Sequence, residues 1–230
     1  MKAKILFLLI LPVFSIAQDY VVDETFEPND YSGRFGEMSP NNRIIYSWGM
    51  NINNTESKLI KEAGSNYFDF RYQYNVPIVK KMYFTLGFGY NLNVFNLGND
   101  SNSLYIDSLF HEKRKLRFQN ITSNVGLRFQ TKKSPNDSWY LEFNFSNEYL
   151  VRSNYVTWGE LDGMKYKNKL SKLTIVDKYQ YAFEIRSGFK NISLFSRYRL
   201  SNLISRSISD VDLPNLTFGL QIDIPASGDI

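Results

Sequence analysis

Hydrophobic and polar residues alternate along much of the chain, most regularly from Met82 to Val94. The even-numbered positions of this segment are apolar, and most of the odd-numbered ones are small or polar. Because side chains two residues apart share one face of a β-strand, the pattern predicts a strand with one apolar and one polar face. The segment is also long enough for a tilted strand to cross a bilayer. The alternation recurs, with varying regularity, in seven further segments: Arg43–Asn53, Tyr67–Val76, Leu116–Gln130, Trp139–Val151, Tyr179–Phe189, Ile192–Leu203 and Leu216–Ile224.

The connections between these predicted strands are of two sizes. Pro77–Lys81, Thr131–Ser138 and Lys190-Asn191 are short, whereas Leu97–Lys115 and Arg152–Thr174 are long. Outer-membrane barrels join their strands by short periplasmic turns and longer extracellular loops. The sequence therefore predicts an all-β fold, a closed antiparallel up-and-down transmembrane β-barrel of about eight strands. An even number of strands places both termini on the periplasmic side.

The N-terminus predicts export. Two lysines precede an apolar run from Ile5 to Ile16, and small residues at Ser15 and Ala17 are typical of a signal peptide that is removed after Ala17. The expected location is the outer membrane of a Gram-negative cell. The expected domains are a signal peptide (1–17), an irregular periplasmic segment (18–42), the outer-membrane barrel (43–224) and a C-terminal tail (225–230).

Composition limits the classes of function. The absence of cysteine excludes a disulfide framework and a lipid anchor on an N-terminal cysteine. Aromatic residues make up 16% of the chain although its mean hydropathy is −0.34, which favours strands with one apolar face over membrane helices. The formal net charge of +4 gives no indication of a nucleic-acid partner.

Three segments resemble the outer-membrane β-barrel domain family that is widespread in Bacteroidetes. They are Lys113–Gln130, Ile192–Leu203 (ISLFSRYRLSNL) and Leu213–Ile224 (LPNLTFGLQIDI). The resemblance implies the fold and an outer-membrane location, and very little about activity. The chain departs from the family where Pro225–Ile230 continues past the last predicted strand, which puts a standard C-terminal assembly signal in doubt.

Residues suited to catalysis are few. Barrel enzymes that modify lipid A need a histidine base beside a serine nucleophile or an acidic partner. The single histidine, His111, lies in Leu97–Lys115 beside Asp107, Ser108 and Glu112, and no second histidine or cysteine could complete a zinc site. The sequence predicts no catalytic residue, metal or cofactor, and a structural, scaffold or partner-binding role. Two alternatives stay open: a lipid A-modifying outer-membrane enzyme, and a soluble, secreted lipocalin-like barrel whose apolar faces would point inward.

Charged residues on the polar faces predict a network inside the barrel. Eight strands leave a lumen that side chains can fill, and buried charges must pair because an unpaired one is costly. Conduction of protons or ions is the alternative. If Lys190-Asn191 is a two-residue hairpin tip, Glu184 lies opposite Arg197, and we expect an ion pair there. The predicted network contains Asp69, Arg71, Arg128, Glu142, Glu184, Arg186, Arg197, Arg199 and Asp223.

The predicted loop Arg152–Thr174 is rich in basic residues. At the outer rim of a barrel they would attract outer-membrane lipid, through the phosphates of lipopolysaccharide, or an acidic surface of a protein partner. The alternative is a solvated loop without a partner. The candidate contact residues are Arg152, Lys165, Lys167, Lys169 and Lys172.

Overall fold

The structure, a computed structural model, describes residues 42–53, 60–98, 112–132, 138–161, 163–205 and 212–226. No helix in these ranges is long and apolar enough to cross a membrane. They form nine strands: β1 (Asn42–Ile52), β2 (Ile60–Val79), β3 (Met82–Leu97), β4 (Lys113–Gln130), β5 (Trp139–Leu161), β6 (Met164–Ser171), β7 (Tyr179–Phe189), β8 (Ile192–Arg199) and β9 (Leu216–Pro225).

Eight of these strands close into a ring. The order around it is β1, β2, β3, β4, β5, β7, β8 and β9, with every pairing antiparallel and β9 hydrogen-bonded to β1. The predicted up-and-down barrel of about eight strands is thus confirmed. Asn42, Pro225 and the short turns lie at one end of the barrel, called the turn end below. The other end, at which β1 and β3 end and β2 and β4 begin, is called the loop end.

The ninth strand corrects the sequence prediction for Arg152–Thr174, which is not a loop. β5 continues to Leu161, and the chain then returns as β6. Among the described strands, β6 pairs only with β5, along the half of that strand nearer the loop end, called its upper half below. Leu161 pairs with Met164, so the two residues between them are Asp162 and Gly163. Asp-Gly is a favoured two-residue hairpin turn because its positions need positive φ, and Gly163 has a φ of 76°.

A β-bulge at Val151 changes which side chains of β5 face outward. Gln119 pairs with Arg152 and Asn120 with Leu150, so Val151 is the extra residue on its strand. Leu150 packs against the interior, whereas Val151 and Arg152 are both exposed. Without the bulge, simple alternation would place Arg152 inside the barrel.

The apolar faces of the ring strands point outward and the polar faces inward. Phe88 is 65% exposed and Leu86 is 40% exposed, whereas Thr85 and Asn91 on the opposite face are buried. A lipocalin-like binding barrel requires the reverse arrangement, so that alternative does not hold. Exposed aromatic pairs continue around the outer surface, for example Tyr46–Phe70, Phe145–Tyr181 and Tyr149–Tyr179.

Apolar side chains fill the interior at the loop end, where the sequence pattern had indicated a polar lumen. Phe95 and Phe118 meet edge to face with their ring centroids 6.0 Å apart. Leu203 and Ile204 fold inward from the segment after β8, and Ile204 bridges to Val176. This apolar plug consists of Ile60, Phe95, Leu97, Leu116, Phe118, Tyr155, Leu173, Val176, Leu203, Ile204 and Leu213.

Candidate functional sites in the lumen and on the outer face

The nine charged residues predicted for the lumen are all at most 4% exposed. Seven of them form one continuous chain of ion pairs, and the remaining two, Arg197 and Arg199, pair with carboxylates outside the predicted set. The seven, in the order of their contacts, are Asp69, Arg71, Glu184, Arg186, Glu142, Arg128 and Asp223.

The first half of this chain joins β2 to β7 across the lumen. Arg71 Nη2 lies 2.6 Å from Asp69 Oδ2 and 3.4 Å from Glu184 Oε2. Glu184 also accepts a hydrogen bond from Arg186, two residues along its own strand. Gly89 faces Arg71 from β3, where an added Cβ would come within 2.5 Å of the Arg71 Cβ. An added Cβ would also come within 2.3 Å of the Phe70 carbonyl oxygen, so a glycine is required there by the close approach of β2 to β3.

The second half runs towards the turn end. Arg186 Nη1 lies 2.9 Å from Glu142 Oε1, and Arg128 Nη1 lies 3.4 Å from both Glu142 Oε2 and Asp223 Oδ2. Tyr140 donates a hydrogen bond of 3.0 Å to Asp223, and its ring lies 3.6 Å from the Arg128 guanidinium carbon. Each charge in this half thus has an opposite charge within reach, as a dry interior demands.

Arg43 belongs to the same cluster and was missed from the sequence. It is fully buried and interacts electrostatically with Asp223 and Glu142. With Arg43 the cluster contains four guanidinium groups and four carboxylates. The available signal was its position on the polar face of β1, two residues before the buried Ile45.

Arg197 corrects the expected ion pair. The predicted register is confirmed, since Glu184 lies directly opposite Arg197 on β8. Among the described residues, however, Arg197 pairs with Glu148 on β5, past the intervening strand β7, and not with Glu184. Its guanidinium carbon also lies 5.0 Å from the ring centre of Tyr67. Glu148, on the polar parity of β5, was the second buried charge that sequence reasoning left out.

Arg199 fastens the chain between β8 and β9. Its guanidinium donates hydrogen bonds of 2.8 Å to Asp212, 2.7 Å to the Ser201 carbonyl and 2.6 Å to the Leu213 carbonyl. Asp212 in turn accepts the backbone N–H of Leu203. The arginine thereby holds part of the apolar plug in place, which is a structural contact rather than a site for a ligand.

The candidates for catalysis and metal binding give no site in the described ranges. His111, Asp107 and Ser108 all lie outside them. Within them, no group of three or more histidine, cysteine, aspartate or glutamate side chains could hold a metal ion.

Four of the five basic residues predicted for Arg152–Thr174 lie on one outer face of the barrel. Beyond the bulge, the outward side chains of β5 include Arg152, and the outward positions of β6 are Lys165, Lys167 and Lys169. Lys172 does not join them, because it lies where the chain leaves β6, with a φ of 60°. β4 contributes three further cations to this face that the sequence analysis did not group with them: Lys113, Lys115 and Arg117.

A cleft of about 150 Å³ opens between these strands. Arg117, Arg152, Lys167 and Lys169 bring four positive charges to it, and Trp158 lies beside it with the Lys167 Nζ atom 5.6 Å from its ring centre. The remaining lining residues are Gln119, Asn154 and Val156.

Comparison with known proteins adds little to this geometry. No protein-family model matches the chain, and no curated protein sequence matches it. Two solved structures to which the chain is similar are those of Ail, the attachment invasion locus protein of Yersinia pestis, alone and in complex with the heparin analogue sucrose octasulfate. Both are 11% identical and cover 80% of this chain and 97% of Ail, with a TM-score of 0.34 for Ail alone and 0.33 for the complex. These values are too low to indicate a shared ligand or partner. The resemblance to the Bacteroidetes family stays a prediction.

Proposed function

We propose that this chain is an integral outer-membrane β-barrel with a sealed lumen and a structural or partner-binding role, exerted through the surface of its loop end. The observation that carries the proposal is the inverted arrangement of the barrel. Its outer surface is apolar and aromatic, and its buried interior is charged. The turn end, where β1 begins and β9 ends, faces the periplasm, and the loop end faces the external medium.

The outer surface is what supports a lipid environment. Soluble monomers rarely expose a contiguous apolar patch of more than a few hundred Å². Here exposed apolar side chains occur on the outward face of every ring strand, from Tyr46 on β1 to Ile222 on β9. The hydrogen bonds of the closed ring leave no free strand edge at this level, which is the condition for crossing hydrocarbon.

The interior supports a barrel that does not conduct. Paired charges occupy the lumen between the turn end and its middle, and the apolar plug covers its loop end. An ion entering from either side would have to break buried ion pairs or cross a dry apolar layer. A role in catalysis has no support from the described residues, since the single histidine lies outside them.

Fractionation, electrophoresis and bilayer recording together test the proposal. The protein should co-sediment with outer membranes and resist extraction by high salt, and the folded barrel should migrate differently before and after boiling in SDS. Purified protein inserted into a planar bilayer should give no stepwise conductance. Recovery in the soluble fraction, or regular single-channel steps, would contradict it.

A further inference from the structure

The outer face formed by β4, the upper half of β5 and β6 is strongly basic. Seven cationic side chains point outward there, against a single carboxylate, Glu160. None of the seven forms an ion pair with a carboxylate of the described residues. We refer to this surface as the basic face: Lys113, Lys115, Arg117, Arg152, Lys165, Lys167 and Lys169.

No ion pair with a carboxylate of the described residues offsets the mutual repulsion on the basic face. The pKa of the Lys115 ammonium is lowered by partial burial and by the neighbouring charges of Lys113 and Arg117. Inside the lumen the arrangement differs, since Arg71, Arg186 and Arg197 each form an ion pair with a buried carboxylate. A surface that retains uncompensated charge is stabilised by an external anion.

The cleft gives that anion a place to bind. Its volume of about 150 Å³ is several times the ~30 Å³ that one water takes up in the liquid. The guanidinium groups of Arg117 and Arg152 suit the planar, two-point recognition of phosphate, and Lys167 and Lys169 add point charges. Asn154 supplies a neutral polar group to the same cleft.

The height of the cleft indicates which anion. On β4, Ile121 is the last exposed apolar residue before the outward positions turn polar and basic. For strands that rise ~3.4 Å per residue and are tilted ~40°, Gln119 lies roughly 5 Å further along the barrel axis than Ile121, and Arg117 lies about 10 Å further. Arg152 is the partner of Gln119 on β5. Headgroup layers extend roughly 5–7 Å beyond the hydrocarbon. The cleft thus begins where lipid phosphates lie.

We propose that the basic face binds the phosphate groups of an acylated, phosphorylated glycolipid of the outer leaflet, the chemical type of lipid A. The phosphates occupy the cleft between Arg117, Arg152, Lys167 and Lys169, and the acyl chains lie on the apolar surface below it, along Ile121. The inference rests on the proposed outer-membrane location with the loop end outside. The partner is a lipid because apolar and cationic surfaces adjoin without a gap.

Binding is measured on the full chain refolded in detergent micelles, by native mass spectrometry with purified lipid A as the probe. The double variant Arg152→Gln/Lys167→Gln should weaken binding about tenfold or more, since it removes two charge-assisted contacts. Lys80→Gln/Lys81→Gln, which removes the same charge at the turn end, is the matched control and should bind like the native protein. Arg152→Lys/Lys167→Arg should restore most of the affinity.

Further arms identify the source of the phosphate. Dephosphorylated lipid A should bind at least about tenfold more weakly than the phosphorylated form, and inorganic phosphate at the same concentration should not compete. Equal affinity for both lipids, equal loss in the control variant, or full competition by inorganic phosphate or a soluble polysulfated glycan would overturn the inference. The shift in migration on boiling is read on every sample. A normal shift with unchanged binding refutes only the lipid site, whereas a missing shift in the native protein refutes the proposed function.

Discussion

Removing the Arg197 guanidinium should be among the most destabilising single changes in the barrel. Glu148 is 1% exposed, and without Arg197 the side-chain donor left to it among the described residues is the amide of Asn120, 3.4 Å away. A buried carboxylate that loses its cation typically costs about 3–5 kcal/mol. The cation–π contact with Tyr67 is lost as well.

A double-mutant cycle separates this pair from its neighbours. Glu148→Gln in the Arg197→Met background should restore part of the loss, with a coupling of about 1–3 kcal/mol. The comparison cycle uses Glu184→Gln, because Glu184 faces Arg197 in register but is bound by Arg186 and Arg71. Its coupling to Arg197 should be clearly smaller than that of Glu148, because Glu184 and Arg197 interact electrostatically but form no ion pair with each other.

The assay is urea unfolding and refolding of the barrel in lipid vesicles, followed by tryptophan fluorescence. Trp48 and Trp139 lie exposed on the outer surface and report loss of contact with lipid. Additive effects of Arg197→Met and Glu148→Gln, or a larger coupling to Glu184 than to Glu148, would show that the Arg197–Glu148 pairing is wrong.

Three further predictions concern the surface, the plug and the topology. Leu86→Arg places a charge at the bilayer midplane and should lower the free energy of unfolding by about 2–4 kcal/mol in the same urea assay. Asn168→Arg on the exposed strand β6 is the control and should be nearly neutral. Equal costs of the two substitutions would argue against a lipid-facing Leu86. Phe118→Ala should cost about 3–5 kcal/mol by opening a cavity in the apolar plug, and a loss below about 1 kcal/mol would mean that the plug is not tightly packed. Trypsin added to intact cells should cut first at Lys165, next to the exposed turn between β5 and β6, and spare Lys80; early cleavage at Lys80 would mean that the turn end faces the medium.

Strand faces could be predicted from the sequence because successive side chains alternate between the two faces of a strand, and each face lies in a single environment, either the lumen or the outer surface. A segment such as Phe68–Tyr74, apolar at even and polar at odd positions, has one orientation that keeps Asp69 and Arg71 together away from hydrocarbon. The ring topology then follows from the alternation of short and long connections.

The extension of β5 could not be found in this way, because the bulge at Val151 breaks the period. Beyond it, β6 reads MKYKNKLS, in which lysines occupy one parity and the other parity is mixed. Neither face is buried, so no hydrophobic pattern marks the strand. The Asp162-Gly163 pair was the remaining signal.

Partner choice inside the lumen is set by distance across the barrel, which a sequence does not contain. The two-residue turn fixed the register of Glu184 and Arg197 correctly. A long guanidinium arm inside the lumen, however, also reaches past the adjacent strand to the next one, and Arg197 contacts Glu148 on β5 in this way. The apolar plug was missed for the same reason, since its residues come from strands and connections far apart in sequence.

Spin-label accessibility at Phe88 tests the central claim, that the apolar parity faces lipid. The chain has no cysteine, so Phe88→Cys introduces a single labelling site on the outward face of β3. In native-like membranes, a nitroxide there should collide often with membrane-soluble oxygen and rarely with a water-soluble nickel chelate. A label at Asn168→Cys on β6 should show the reverse. Nickel collisions at position 88 as frequent as at position 168 would mean that the apolar parity faces water, and would contradict the account.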